Sequence, residues 1–261
     1  GSGPRRTGSV SRRLVGVLLA TLVLAPAARA ALAYEEAPVV DGGVLTGRVR
    51  FGGEPPKVEP IPVRKNLEVC GEHAPGQALL VGPDRGVRNS VVYVEGVERG
   101  KKPADFELDN ARCLFVPHVS AVMVGARVRI KNSDPVLHNT HGLLDRLTVF
   151  NIALPNRGQV VPITQRIRKP GVIDVQCDAH THMRAWMMVR DNPYFAVTDD
   201  GGQFRIDQIP PGRYRVVAWH QGWLVTGRDK DGRPVYDAPR LLTQEVTVPA
   251  KGEVTVDFEL R

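Results

Sequence analysis

Hydrophobic and polar positions change place every second residue along much of the chain from Val44 onward, most plainly at Val254, Val256, Phe258 and Leu260. A period of two puts alternate side chains on opposite faces of a strand. Gly47–Phe51 and Ala126–Ile130 carry the same alternation, and Val91–Val94 is a short cluster of β-formers. Gly, Pro and Asn-Asp groups separate these segments, as turns between short strands require. No long segment has helical periodicity, and there is no tandem repeat or low-complexity linker. The pattern predicts an all-β sandwich.

Composition agrees. Of 261 residues, 42% are hydrophobic and 24% charged, enough apolar content for one large β domain or two small ones. The 26 Gly and 21 Pro suit frequent turns.

Residues 1–33 read differently. Arg5, Arg6, Arg12 and Arg13 precede an apolar run from Leu14 to Leu24, followed by Ala28-Arg29-Ala30 and Ala31-Leu32-Ala33. This is the layout of a secretory signal peptide. The run is shorter than the roughly 20 residues of a membrane span, so no stable span is expected after cleavage. Ser11-Arg12-Arg13 hints at twin-arginine export. The segment holds five of the 35 basic residues and no acid, which leaves 30 basic against 28 acidic and a net charge of about +2 rather than +7. Nucleic acid is therefore not an expected partner. The expected address is periplasmic or secreted.

The chemistry concentrates in Cys177-Asp-Ala-His180-Thr-His182-Met183, which follows a predicted strand, Val172–Gln176. A thiolate, an imidazole and a thioether on one short loop suit copper: soft sulfur satisfies Cu(I), imidazole satisfies both oxidation states, and a weak axial Met completes a His2Cys site. The second imidazole must come from elsewhere, and His138, just after the predicted strand Val128–Lys131, is the candidate. Zinc could use Cys177, His138, His180 and one further His, but Met183 at loop spacing argues for copper. A c-type haem needs Cys-x-x-Cys-His, which is absent from the sequence.

Phe115-x-Pro117, Gly125-x-x-Val128-x-Ile130-x-Asn132, His138-Asn139 and the final Cys-x2-His-x2-Met resemble, in order, the cupredoxins, and the last spacing resembles amicyanin-like proteins in particular. That resemblance covers about a third of the chain. It implies a Greek-key cupredoxin sandwich holding one type-1 copper ion through His138, Cys177, His180 and Met183. Asn139 would hydrogen-bond across the two ligand loops, and His180 would lie at the exposed end. Thr181-His182 departs from the Pro-Phe pair of amicyanin-like proteins, which makes His182 a candidate source of pH-sensitive docking. His141 and His182 are candidates for a second metal but read by default as solvated. Met187, Met188 and His220 read as structural.

Thr198–His220 and Gly47–Pro56 resemble a carboxypeptidase regulatory-like, or transthyretin-like, sandwich module. The expected layout is a signal peptide (1–33), a first part of that module (44–105), a copper domain (106–190) and a second part (191–261). A contiguous copper domain over 44–190 is the rival. With Cys177 given to the metal, Cys70 and Cys113 are left to pair in an oxidising compartment.

The expected function is a one-electron carrier rather than an enzyme, exchanging electrons with a redox protein such as a c-type cytochrome or a copper or quinoprotein enzyme. A copper carrier or storage protein, and a cell-envelope module with incidental metal, are the rivals.

Overall fold

The computed structural model describes residues 1–3 and 34–261. The expected signal peptide lies outside the described residues, apart from its first three. Among the described residues no helix is long and apolar enough to cross a membrane.

The chain is all-β. We number the main strands β1 (Gly43–Phe51), β2 (Val91–Val94), β3 (Phe106–Ala111), β4 (Leu114–Val116), β5 (Val119–Met123), β6 (Val128–Asn132), β7 (His138–Leu144), β8 (Leu147–Leu154) and β9 (Val160–Pro162). There follow β10 (Gly171–Gln176), β11 (Arg184–Arg190), β12 (Phe195–Val197), β13 (Gln203–Ile209), β14 (Gly212–His220), β15 (Arg240–Val248), β16 (Glu253–Thr255) and β17 (Phe258–Leu260). One four-residue helix, Leu67–Cys70, precedes β2.

Four sheets are built from these strands. Residues 106–190 supply two, in the orders β4-β3-β6-β9 and β5-β11-β10-β7-β8. The flanking segments supply the others, in the orders β12-β2-β14-β15 and β13-β1-β16, with β17 also on β1. Each pair of sheets encloses its own core. Leu45, Val49, Phe204, Ile206, Val216 and Phe258 fill one. Leu108, Phe115, Ile130, Leu154, Ile173 and Met187 fill the other.

A third apolar cluster joins β2 and β14 to β5 and β11: Val91, Tyr93, Val217 and Trp219 meet Val119 and Met188, with Trp186 edge-on to Trp219 at 6.1 Å. This explains why Val91–Val94 is a run rather than an alternation. All four residues are buried, because both faces of β2 are covered.

The Asp-Gly and Pro-Pro-Gly text of 199–212 makes a corner. β13 pairs with β1 while β14 pairs with β2 and β15, so Pro210-Pro211 carries the chain from one sheet to the other. The Tyr214 hydroxyl donates to the Pro210 carbonyl at 2.9 Å and fastens the corner. Such a device serves β-sandwiches of many kinds.

Candidate metal centre

The site is assembled from two loops at one end of the 106–190 strands. The first runs from β6 to β7. Asn132, fully buried, donates from Nδ2 to the carbonyls of Val136 (3.0 Å) and Leu154 (2.9 Å) and accepts the Asp134 N–H (3.0 Å). That fixes the loop delivering His138. The second loop, Cys177–Met183, closes on itself: Met183 N–H donates to the His180 carbonyl (2.9 Å), and Cys177 N–H lies 3.4 Å from the Met183 carbonyl.

His138, Cys177 and His180 converge, their donor atoms all within 4.8 Å of one another. Cys177 Sγ lies 4.0 Å from His138 Nδ1 and 3.7 Å from His180 Nδ1. Both imidazoles turn the same nitrogen inward because the other is occupied. His138 Nε2–H donates to Asp134 Oδ2 (3.0 Å), and His180 Nε2–H donates to Asn66 Oδ1 (3.0 Å). With Nε2 protonated, each Nδ1 presents a lone pair toward the sulfur. An imidazole whose outer N–H is held by a carboxylate or carbonyl is the usual ligand arrangement around a metal. Met183 is fully buried in the same apolar cluster as Cys177. The residues present therefore fit a soft, redox-active ion such as copper.

Burial pushes the Cys177 thiol up, against backbone N–H groups and the Arg233 charge that favour the thiolate. Burial, with the neighbouring His138, His182 and Lys65 charges, drops His180 to about 4, and burial also lowers His138 despite Asp134. Neutral imidazoles are ready ligands. The thiol would give up its proton to a bound cation.

Asn139 spans the two loops. Its N–H reaches Cys177 Sγ at 3.5 Å, and its Oδ1 accepts the N–H groups of Asp178 (2.6 Å) and Ala179 (3.2 Å).

Asp134 was not singled out from sequence. Its carboxylate accepts the Arg112 and Cys113 N–H groups, both at 2.7 Å, besides His138. Arg112 and Cys113 form the two-residue turn between β3 and β4 with φ of 55° and 54°. Such turns favour Asn-Gly. Asp134 offsets the strain of two left-handed non-glycine residues and ties that turn to His138. Cys113 in turn is disulfide-bonded to Cys70.

Two sequence expectations are corrected. His180 is only 1% exposed: the Asn66 turn, 114 residues away in sequence, lies over its outer nitrogen. His182 is not solvated but 5% exposed, donating Nε2–H to the Cys113 carbonyl (3.0 Å), so it offers no titrating docking group. His141 is half-buried and points elsewhere, bonded to Asp178 (3.2 Å) and Thr148 (2.8 Å). Met187, Met188 and His220 are buried.

These placements separate the two nearby histidines. His138→Ala should open the centre to water or added imidazole and change the visible spectrum of the copper-loaded protein. His141→Ala should leave that spectrum intact. A spectrum lost only in the His141 variant would reverse the choice.

Comparison with known proteins gives partial likenesses. The family model of domain II of polysaccharide lyase family 4 matches residues 157–255. No curated protein matches the sequence. Among solved structures, the copper-containing nitrite reductase of Thermus scotoductus SA-01 is similar at 22% identity over 34% of this chain and 23% of its own, with a TM-score of 0.29. This chain thus spans under a quarter of that enzyme. A purple cupredoxin from Nitrosopumilus maritimus is similar at 21% identity over 33% of this chain and all of its own, TM-score 0.29. A methionine-to-alanine variant of amicyanin with Cu(I) is similar at 20% over 38% of this chain and 98% of its own, TM-score 0.29. The expected carboxypeptidase regulatory-like resemblance finds no support. The family match falls instead on a lyase-associated sandwich domain, and the sheet-to-sheet corner at Pro210 that prompted the expectation is common to many sandwiches.

Proposed function

We propose that this protein is an extracytoplasmic copper protein that carries single electrons, with a type-1 centre formed by His138, Cys177, His180 and Met183 in an inserted domain of residues 106–190. The observation that carries this reading is the convergence of two Nδ1 atoms on one buried thiol, each imidazole locked from behind by an oxygen acceptor. Copper would supply the change between Cu(II) and Cu(I). The residues of the chain would hold both states in one cage, because Asn132, Asn139, Asp134 and Asn66 fix the ligand loops independently of the ion.

A storage role would need His141, His182 and Met187 to extend the site; the two histidines are hydrogen-bonded elsewhere, and Met187 is packed in the apolar core. The partner is proposed to be another redox protein, such as a c-type cytochrome or a copper or quinoprotein enzyme. It would meet the Asn66 turn rather than a bare imidazole edge. The test is spectroelectrochemistry of the copper-loaded full chain. Reversible one-electron cycling with one copper retained is expected. Irreversible reduction, or loss of metal on reduction, would rule out a carrier.

A further inference from the structure

Arg233 is the least expected group beside the centre. It sits in the turn of a hairpin, Val225–Arg228 with Pro234–Tyr236, contributed by the C-terminal segment. Asp229 Oδ1 accepts the Asp231 and Arg233 N–H groups, both at 2.9 Å, and shapes that turn. Arg184, gripped bidentately by Asp174 (2.9 and 2.7 Å), donates to the Pro234 carbonyl at 3.0 Å and holds the hairpin against β11.

So placed, Arg233 is 3% exposed, and Nη2 donates to the Cys177 carbonyl at 2.9 Å. Among the described residues its Nε and Nη1 are buried without a hydrogen-bond partner. The nearest carboxylates, Asp229 at 3.9 Å and Asp178 at 4.0 Å, are partly solvated and too far for close pairing. A buried guanidinium so poorly neutralised is costly on its own. Its hydrogen bond to the Cys177 carbonyl keeps that charge beside the loop that carries the sulfur.

We propose that Arg233, carried in by the C-terminal hairpin, is a positioning residue that holds the Cys177 loop and biases the bound copper toward Cu(I). The proposal rests on the copper reading above. The physical reason is one of sign: when Cu(II) takes one electron from its partner, the centre loses a positive charge, and a fixed cation nearby favours the less positive state. The carbonyl hydrogen bond works in the same direction by withdrawing electron density from the thiolate loop.

The test uses copper-loaded full chain carrying Arg233→Lys, Arg233→Gln or Arg233→Met, with the reduction potential and the thiolate charge-transfer band as readouts. Gln and Met should lower the equilibrium constant for reduction about tenfold, equivalent to about 59 mV for one electron, while the band persists. Lys should retain most of the wild-type value, since it keeps the charge. Asp229→Asn keeps an oxygen for the turn but removes an opposing charge, and should shift the potential upward; it also serves if the Met variant fails to fold. The ratio of Cu(I) to Cu(II) affinity, from chelator competition, should move in parallel. Unshifted potentials in Gln and Met, or a Lys variant that falls as far as Met, would overturn the role of Arg233 and leave the copper reading standing. A wild-type copper complex without the intense band would overturn both.

Discussion

Cys177→Ser is expected to abolish the intense visible absorption of the copper-loaded protein completely. The band requires charge transfer from a thiolate to Cu(II). A serine hydroxyl is neither soft nor readily ionised, so the remaining imidazoles would hold copper only weakly. Cys177 is fully buried and its sulfur faces both Nδ1 atoms, so no other thiol can take its place: Cys70 and Cys113 are joined to each other. The control is the metal-free variant. If its stability differs from metal-free wild type by no more than the roughly 1–3 kcal/mol of a buried polar substitution, the lost band reports the ligand and not unfolding. A Cys177→Ser protein that keeps the colour would refute the type-1 assignment.

The second large effect should follow from opening the Cys70–Cys113 bond. The bond spans 43 residues, and in the chain-entropy model closing such a loop stabilises by about 4 kcal/mol. A Cys70→Ser, Cys113→Ser double variant should lose about that much in denaturant titration, at a somewhat steeper slope because the denatured chain without the crosslink exposes more surface. The effect should also reach the centre. Helix Leu67–Cys70 buries none of its residues, so the disulfide and the Asn66–His180 hydrogen bond are its main holds on the 106–190 strands. Released, the Asn66 turn should leave the outer nitrogen of His180 open, and small exogenous ligands should perturb the copper spectrum more readily than in wild type. Stability equal to wild type would show that the bond constrains nothing the fold does not already fix.

Much of the strand pattern, and the segments that bring His138, Cys177 and His180 together, was legible in the sequence, because both are local signals. Val254 to Leu260 alternate and are wholly or partly buried at each apolar position, and the Cys-x2-His-x2-Met spacing needs only seven residues. Groups that act across the fold were not legible. Asn66 and Arg233 lie 114 and 56 residues from the atoms they contact, and a lone Asn or Arg in a turn carries no mark of its partner. Asp134 sits only four residues from His138, yet an Asp before a Pro reads first as turn chemistry. The exposure of His180 was misjudged for the same reason: its cover comes from a distant segment.

The apolar cluster shared by β2, β14, β5 and β11 bears on how the molecule can be cut. Excising residues 106–190 as a free-standing cassette would strip the cover from Val119, Met188 and Trp186 and leave a contiguous greasy face in water. The remnant would carry the matching wound at Val91, Tyr93, Val217 and Trp219. Exposed faces of that kind invite self-association. Although each half packs its own interior, neither is a portable module, and a centre transplanted from this protein would need its neighbour's sheet, or polar replacements for it, to remain dispersed.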